Sequence, residues 1–254
     1  MRKRALIIGG SSGIGLATVK KLALNSFDVV VLHRDRRQDV EKLQQELGDL
    51  SKAHNASIQS HNIDATNEEK ISDFVSGQEG SDPFDLVLHA VSRGNLKPMI
   101  ETDNQLSNQD FKLTLDAMGV NLHTWVAQLA NQKLISNQGR IVALTSEGNK
   151  RVWKGYGAVA SAKATLETIA NYLAVEMAPM GINVNIIQAG ITDTPSLRMI
   201  PGSEKLIAET KSRNPFGRLT TPEDVANVIY LLTQPEAGWI NGSLIHVDGG
   251  EHLV

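Results

Sequence analysis

The sequence predicts an α/β fold in which a parallel sheet of seven strands carries helices on both faces. Short apolar runs recur along the chain, and longer amphipathic stretches separate them. Strands that alternate with helices at this spacing form right-handed β-α-β units, which give a doubly wound sheet. An α/β sheet reaches about 250 residues as one unit, so we expect residues 1–254 to form a single domain.

The predicted strands are residues 5–8, 28–32, 57–63, 84–89, 140–144, 182–187 and 243–247. The run 29–32 is apolar at every position, which is typical of a parallel strand buried on both faces. Helix-length stretches occupy residues 14–24, 113–134, 158–177 and 222–232. Between residues 35 and 55 the spacing of Leu43, Leu47 and Leu50 predicts a further helix at the surface.

Residues 192–218 depart from this alternation. They contain three prolines and only a short helical pattern near residues 203–211. The segment is therefore expected to be a long excursion beyond a strand end, where substrate lids usually lie.

Composition excludes several classes of function. The chain has 25 Lys and Arg against 28 Asp and Glu, and a net charge of −3 argues against a nucleic-acid partner. Without cysteine it has no disulfides, thiolate nucleophiles or cysteine metal ligands, and the scattered histidines predict no metal site. Four apolar residues after a basic start are too few for a signal peptide, and no stretch approaches a membrane span. We expect a soluble cytoplasmic protein with no membrane partner.

A glycine-rich turn follows the first predicted strand and precedes a helix. Glycine permits a tight turn, close approach of a pyrophosphate and close packing of helix on strand, while the helix N-terminus offers free N–H groups. The alternative is an ordinary strand-to-helix turn that needs positive φ, but the position after the first strand favours a dinucleotide in a Rossmann-type fold. The cofactor-binding candidates here are Gly9, Ser11, Ser12, Gly13, Ile14 and Gly15.

The spacing Gly-x3-Gly-x-Gly resembles the short-chain dehydrogenase/reductase family, and the resemblance extends over nearly the whole chain. Asp64 matches the aspartate that contacts adenine, and Asn121 matches the asparagine that organises a proton relay. Ser146 falls at the catalytic serine, and Lys163 lies within the lysine motif Ser-Ala-Lys-Ala. Two alternatives remain open: Ser146 as a vestige or strand-end cap, and Asn121 as a residue that bonds only backbone and water.

The resemblance also implies cofactor contacts at Ala90, Ile191 and Thr194, with Thr194 holding the nicotinamide carboxamide. Two motifs differ from the family. His-Ala-Val-Ser at residues 89–92 replaces the usual Asn-Asn-Ala-Gly, and Ala-Gly at 189–190 replaces Pro-Gly.

The end of the second strand indicates which nicotinamide cofactor is used. NAD-binding relatives carry an acidic residue at the position of His33, and NADP-binding relatives carry an arginine at the position of Arg34. A guanidinium can hold a 2′-phosphate with two hydrogen bonds, and Arg36 and Arg37 add positive charge. NADP(H) is therefore predicted. Asp35 could fold back and oppose this preference, and the alternative is a solvated charged turn.

The tyrosine of the family's Tyr-x3-Lys motif is displaced. Val159 stands four residues before Lys163, and the nearest tyrosine is Tyr156, which gives Tyr-x6-Lys. Seven helical residues advance by about 700°, so both side chains share one face, with Tyr156 about 4.5 Å nearer the helix start than usual. Reduction of an α,β-unsaturated thioester develops charge on an oxygen two bonds from the carbon that receives hydride, so its hydrogen-bond donor must stand further from the nicotinamide.

This pattern resembles the enoyl-acyl-carrier-protein reductases, especially the NADPH-dependent type III, over residues 156–179 and 247–254. The resemblance implies reduction of a trans-2-enoyl thioester, carried on acyl carrier protein or coenzyme A, by a homotetramer. Tyr156 would hydrogen-bond the enolate oxygen, and Lys163 would bind the nicotinamide ribose and stabilise charge on the tyrosine. A 3-oxoacyl or other carbonyl reductase and a non-catalytic NADP-binding protein are the alternatives.

The resemblance gives the segment 192–218 a function as well. With Thr194 anchored by the cofactor, the segment is expected to be mobile in the free protein and to become ordered over an acyl chain. The residues that would cover the chain are Leu197, Met199, Ile200, Leu206 and Ile207. The alternative is a fixed wall that packs permanently on the core.

Overall fold

Seven parallel strands form one sheet in the order β3-β2-β1-β4-β5-β6-β7, which confirms the predicted fold class. The computed structural model describes residues 2–101, 103–200 and 202–254. The winding direction reverses between β1 and β4, and in such sheets a crevice opens there beyond the carboxyl ends of the strands. The strands are β1 Lys3–Ile8, β2 Phe27–His33, β3 Ile58–Asn62, β4 Phe84–His89, β5 Ile135–Ser146, β6 Asn183–Ala189 and β7 Leu244–Val247.

Helices cover both faces of the sheet, and none that the structure describes is both long and apolar enough to cross a membrane. Their bounds are α1 Gly13–Leu24, α2 Arg37–His54, α3 Glu68–Ser76, α4 Asn108–Leu115, α5 Asn121–Asn131, α6 Gly157–Met177, α7 Pro195–Arg198, α8 Ser203–Arg213 and α9 Pro222–Leu232, with a π-helical turn at Asp116–Val120 between α4 and α5.

The apolar strands are buried on both sides because alternate residues point to opposite faces. Leu6 and Val30 face one core with side chains of α3, α5 and α6, whereas Ile7 and Val31 face a second core with side chains of α1, α2 and α9. Trp125 on α5 is completely buried in the first core, where it contributes to helix packing. This double burial explains why the strands are uninterrupted apolar runs.

Two helical predictions were incomplete. The single helix predicted over residues 113–134 is instead α4 and α5, separated by the π turn, and the short α3 was not predicted. At the π turn Gly119 lies against α6: a Cβ there would stand 2.9 Å from the carbonyl oxygen of Ala162. A π turn widens the helix by one residue, so the close approach of α6 coincides with a break in the helical period.

The segment 192–218 contains the short helices α7 and α8, the second close to its predicted position. Thr192 forms a parallel bridge with Thr220, which ties the two ends of the segment together. Leu197 is buried, whereas Met199 is 78% exposed. The segment thus begins and ends at one place on the sheet and projects beyond it.

Candidate active site

A cleft of about 580 Å³ opens beyond the carboxyl ends of the central strands. Its walls run from the glycine-rich turn through the ends of β2, β4, β5 and β6 to α7. All the site residues predicted from the sequence line it except Asn121, which lies beneath it. The cleft therefore joins the predicted cofactor contacts to the predicted catalytic residues.

The glycine turn is built for close backbone approach. Gly9 has φ +95°, and a Cβ there would lie 2.7 Å from the carbonyl oxygen of Ala90. A Cβ on Gly15 would overlap the carbonyl oxygen of Gly9, so no larger residue fits where α1 packs on the turn. Gly13 has φ +51°, and a Cβ there would stand 3.0 Å from the methyl group of Thr194. Because α1 begins here, this cradle fits the phosphates of a dinucleotide.

Asp35 folds back toward the glycine turn. Its Oδ1 accepts a hydrogen bond from the Ser11 hydroxyl at 3.1 Å, and its Oδ2 lies 2.8 Å from Nδ1 of the buried His33. The Asp35 carboxylate, which could repel a 2′-phosphate, is therefore already in contact with the side chains of Ser11 and His33 in the cleft.

Asp64 forms the centre of a second charged cluster at this end. Its Oδ2 accepts hydrogen bonds from Arg34 at 2.9 Å and Arg93 at 3.0 Å, and its Oδ1 accepts two from Thr66. Burial opposes ionisation of Asp64, but these hydrogen bonds outweigh it and lower its pKa to about 2. Arg93 was not singled out from the sequence. Its position four residues after the fourth strand was the available signal.

Tyr156 lies at the start of α6 and faces the end of β5. Its hydroxyl oxygen is 3.2 Å from Oγ of Ser146, and the Trp153 ring packs edge-on against its own ring at 5.5 Å. Gly148 lies so close to the ring that a Cβ would overlap it. Burial raises the pKa of Tyr156, while the Ser146 hydrogen bond opposes the rise, so the phenol is a neutral donor at physiological pH.

Lys163 lies two turns further along the same helix. Its ammonium donates to the carbonyl oxygen of Leu144 at 2.7 Å, and the side chain is buried. Burial lowers the pKa of Lys163 to about 8, while the nearby Glu167 carboxylate raises it. The group is thus predominantly a cation at neutral pH.

Val159 occupies the position of the family's usual tyrosine and is part of a small apolar cluster. It packs with Ala117, Met118 and Ala162 and is 4% exposed. Tyr156 lines the cleft, whereas Tyr172 and Tyr230 do not, so within the described chain the phenol of the site is the displaced one.

Asn121 supports the cleft from below. Its amide donates to the carbonyl oxygen of Ala65 at 3.0 Å, and the Trp125 indole donates to the same oxygen at 2.9 Å. Its Oδ1 lies 3.0 Å from Nε2 of His89, which is buried. Burial lowers the pKa of His89 to about 4, so the imidazole is neutral and donates to Asn121. In the sequence, the signal for the contact between His89 and Asn121 was the histidine at residue 89, where the family motif has asparagine.

An ion-pair network anchors α8 beside the cleft. Arg213 contacts Glu147 at 2.8 Å and Glu251 at 2.7 Å, and Glu251 also accepts a hydrogen bond from the Ile191 backbone. Glu251 is 1% exposed, so this is a buried pair rather than a surface one. No sequence pattern indicated this anchor, in which Arg213 and Glu147 are 66 positions apart. Among the described residues, no group of three or more potential metal ligands occurs.

A doubly wound sheet, a phosphate cradle and a half-buried tyrosine with a buried lysine beside a strand-end serine define a nicotinamide-dependent oxidoreductase of the short-chain dehydrogenase/reductase class. A family model described as Enoyl-(Acyl carrier protein) reductase matches residues 9–252, and the chain belongs to this family.

Individual relatives agree with this assignment. The chain is 30% identical over 254 residues to the enoyl-acyl-carrier-protein reductase (NADPH) FabI of Staphylococcus aureus, covering 97% of this chain and 94% of the relative. It is 28% identical over 255 residues to an NADPH-dependent aldehyde reductase-like chloroplastic protein of Arabidopsis thaliana, covering 97% and 93%. The crystal structure of the enoyl-acyl-carrier-protein reductase (NADH) of Aquifex aeolicus superposes with a TM-score of 0.84 at 26% identity, covering 99% and 97%. Because these relatives are named for both NADH and NADPH, the comparisons establish a nicotinamide cofactor without specifying which.

Proposed function

We propose that this protein reduces the C2–C3 double bond of a trans-2-enoyl thioester with NADPH. The observation that carries the proposal is the placement of Tyr156. Its phenol lines the cleft from the residue that precedes α6, whereas Val159, which stands at the usual tyrosine position and also lines the cleft, has no hydrogen-bond donor on its side chain. A donor displaced along the helix suits an oxygen removed from the carbon that is reduced.

Different residues of the chain would bind different parts of the cofactor. The glycine turn and the start of α1 would hold the pyrophosphate, Lys163 the nicotinamide ribose and Thr194 the carboxamide. When bound, the nicotinamide supplies the hydride for C3 of the substrate.

Tyr156 donates a hydrogen bond to the thioester oxygen as negative charge develops there. Such a donor acts most strongly in a site from which water is excluded, and the Tyr156 side chain is half-buried. Ser146, 3.2 Å away, orients the hydroxyl, and the Lys163 cation stabilises negative charge at this end of the cleft. Asn121 acts indirectly, by holding Ala65 and His89 beneath the site.

The preference for NADPH rests on arginines at the adenosine end. Arg34 and Arg93 both line the cleft, and both are exposed enough to turn toward a 2′-phosphate. Asp35 is engaged by Ser11 and His33, which reduces its competition for that position. The Staphylococcus relative named for NADPH is consistent with this preference.

The segment 192–218 is proposed to cover the acyl chain. Leu197, Met199 and Ile200 line the cleft, whereas Leu206 and Ile207 do not. Because α8 is anchored through Arg213, we expect ordering to be concentrated at residues 194–200. Hydrogen exchange should slow there when NADPH and an enoyl-thioester analogue bind. Strong protection in the free protein would instead indicate a fixed wall.

A carbonyl reductase is the second candidate, because the Ser146–Tyr156 pair could also serve a carbonyl oxygen. The similarity to the aldehyde reductase-like protein favours the same activity.

The decisive experiment follows NADPH oxidation with trans-2-enoyl and 3-oxoacyl thioesters of matched chain length, each on coenzyme A and on acyl carrier protein, with NADH in parallel. We expect the enoyl substrates with NADPH to be fastest. Faster turnover of 3-oxoacyl substrates would establish the alternative, and binding of NADPH without turnover would indicate a non-catalytic protein. Sedimentation of the same preparation tests the expected homotetramer.

A further inference from the structure

Glu167 lies on α6 one turn beyond Lys163, in neither the glycine turn nor the tyrosine–lysine motif. Its Oε1 accepts a hydrogen bond from the Thr145 hydroxyl and another from the Asn149 side-chain amide, each at 2.6 Å. Both donors belong to the segment that carries Ser146, at the end of β5 and just after it. One carboxylate oxygen therefore ties both sides of Ser146 to the helix that carries Tyr156.

Lys163 makes the third contact of this kind. Its ammonium donates to the Leu144 carbonyl oxygen at 2.7 Å. The chain from Leu144 to Asn149, which we call the serine strap, is thus fixed to α6 at three points. The 3.2 Å separation of the Ser146 and Tyr156 hydroxyl oxygens lies within this frame.

Glu167 also acts on charge. Burial favours the neutral amine of Lys163, and the Glu167 carboxylate opposes that effect by raising the lysine pKa. The other groups in this environment are His89 on β4, which faces Lys163, and His246 on β7, which lies in the fields of His252, Asp248, Lys150 and Glu167. Burial lowers the pKa of both histidines, so Glu167 is the anionic partner that favours the lysine cation.

We propose that Glu167 is a positioning residue of the active site, which holds the serine strap against α6 and keeps Lys163 positively charged. This inference rests on the proposed function for its kinetic consequences. Its two parts are separable, because glutamine retains an oxygen that accepts hydrogen bonds but carries no charge.

The charge part is tested with Glu167→Gln. Without the carboxylate, the pKa of Lys163 should fall further, so the loss of kcat with rising pH should begin about one pH unit lower than in the native protein. The pH at which NADPH affinity weakens, followed by tryptophan fluorescence, should move in the same direction. Glu176→Gln, which removes an exposed carboxylate from the same helix, should move neither profile.

The strap part is tested with Thr145→Val, which removes one donor and keeps the Glu167 charge. Loss of one hydrogen bond of about 1 kcal/mol predicts a decrease in kcat of about fivefold, with little change in KM and no shift of the pH profile. Circular dichroism of each variant checks that the fold is retained.

Unchanged pH profiles in Glu167→Gln, for both kcat and NADPH binding, would overturn the charge role, and native kcat in Thr145→Val would overturn the strap role. If the native protein reduces no enoyl thioester, the proposed function fails. The binding profile then still decides whether Glu167 controls the charge of Lys163.

Discussion

The two ends of the cleft are built from different kinds of contact. At the catalytic end Lys163 is buried, Tyr156 is largely enclosed, and neutral partners fix both, whereas at the adenosine end Arg34, Arg93 and Asp64 form partly exposed ion pairs. Exposed pairs contribute about 0–1 kcal/mol each and rearrange readily. Under the proposed function, the contrast teaches that the chemistry would be preorganised, whereas cofactor recognition would be assembled when charged groups exchange partners.

The largest expected effect comes from breaking the catalytic end. Tyr156→Phe removes one hydroxyl and keeps the ring that packs on Gly148 and Trp153. Loss of a donor to a developing oxyanion lowers kcat about a hundredfold or more, so we expect that decrease with nearly native NADPH affinity. Steady-state kinetics and NADPH titration measure both quantities. Tyr172→Phe, on the exposed side of α6, is the matched control, and native kcat in Tyr156→Phe would contradict the mechanism.

The burial of His89 beneath the catalytic end also predicts that the stability of the protein depends on pH. Burial lowers the pKa of His89 from its ordinary 6.5 to about 4, so between these values the unfolded chain binds a proton that the folded chain does not. The free energy of unfolding contributed by this group therefore falls as pH decreases through that window, by about 1.4 kcal/mol per pH unit. Urea unfolding at pH 7 and pH 5 should show a smaller decrease in His89→Asn than in the native protein. His123→Asn, at an exposed position of α5, should retain the native decrease, and an equal decrease in all three proteins would refute the prediction.

A smaller effect is expected at the adenosine end. Arg34→Ala should weaken NADPH binding about tenfold and leave NADH binding nearly unchanged, because a charge-assisted hydrogen bond contributes about 1.5–3 kcal/mol and only NADPH carries the phosphate. Dissociation constants for both cofactors provide the test. Lys52→Ala, in the last turn of α2 at an exposed position, is the control. Equal losses for NADPH and NADH would show that Arg34 supports the fold through Asp64 instead.

The smallest effect concerns Asp35, whose carboxylate is already engaged by Ser11 and His33. Removing its charge in Asp35→Asn should strengthen NADPH binding about two- to fivefold, because a partly exposed charge acts through screened interactions. NADH binding should stay the same or weaken. A gain for NADH rather than NADPH would place Asp35 outside the recognition of the 2′-phosphate.

The sequence predicted the sheet because burial on both faces leaves a simple trace in the chain, the uninterrupted apolar strand. Helical geometry also predicted that Tyr156 and Lys163 share one face of a helix, whereas α6 begins at Gly157 and Tyr156 is the N-cap residue that precedes it. The helix over residues 113–134 was predicted as continuous because its apolar residues continue through the break. The π turn depends on the approach of α6 at Gly119, a tertiary contact that periodicity does not report.

The contacts of the site that the sequence did not predict share one physical cause. The pairing of His89 with Asn121 and that of Arg93 with Asp64 each join residues about thirty positions apart, through side chains whose direction depends on the folded sheet. The ion pairs of Arg213 span still longer separations. Residue type identified some of these groups as candidates, but partner choice required the structure.

The anchoring of α8 by Arg213 has a consequence for the entropy of substrate binding. Fixing the backbone of one residue costs about 1–2 kcal/mol, and a segment ordered only by its ligand takes that cost from the binding free energy. Here Glu147 and Glu251 hold the end of α8 before any ligand arrives, and the Thr192–Thr220 bridge holds the base of the segment. Under the proposed function, the acyl chain would then have to order only the short stretch around α7. More of the free energy of its contacts with the protein would then contribute to affinity. Fewer residues would also have to become mobile when the product dissociates.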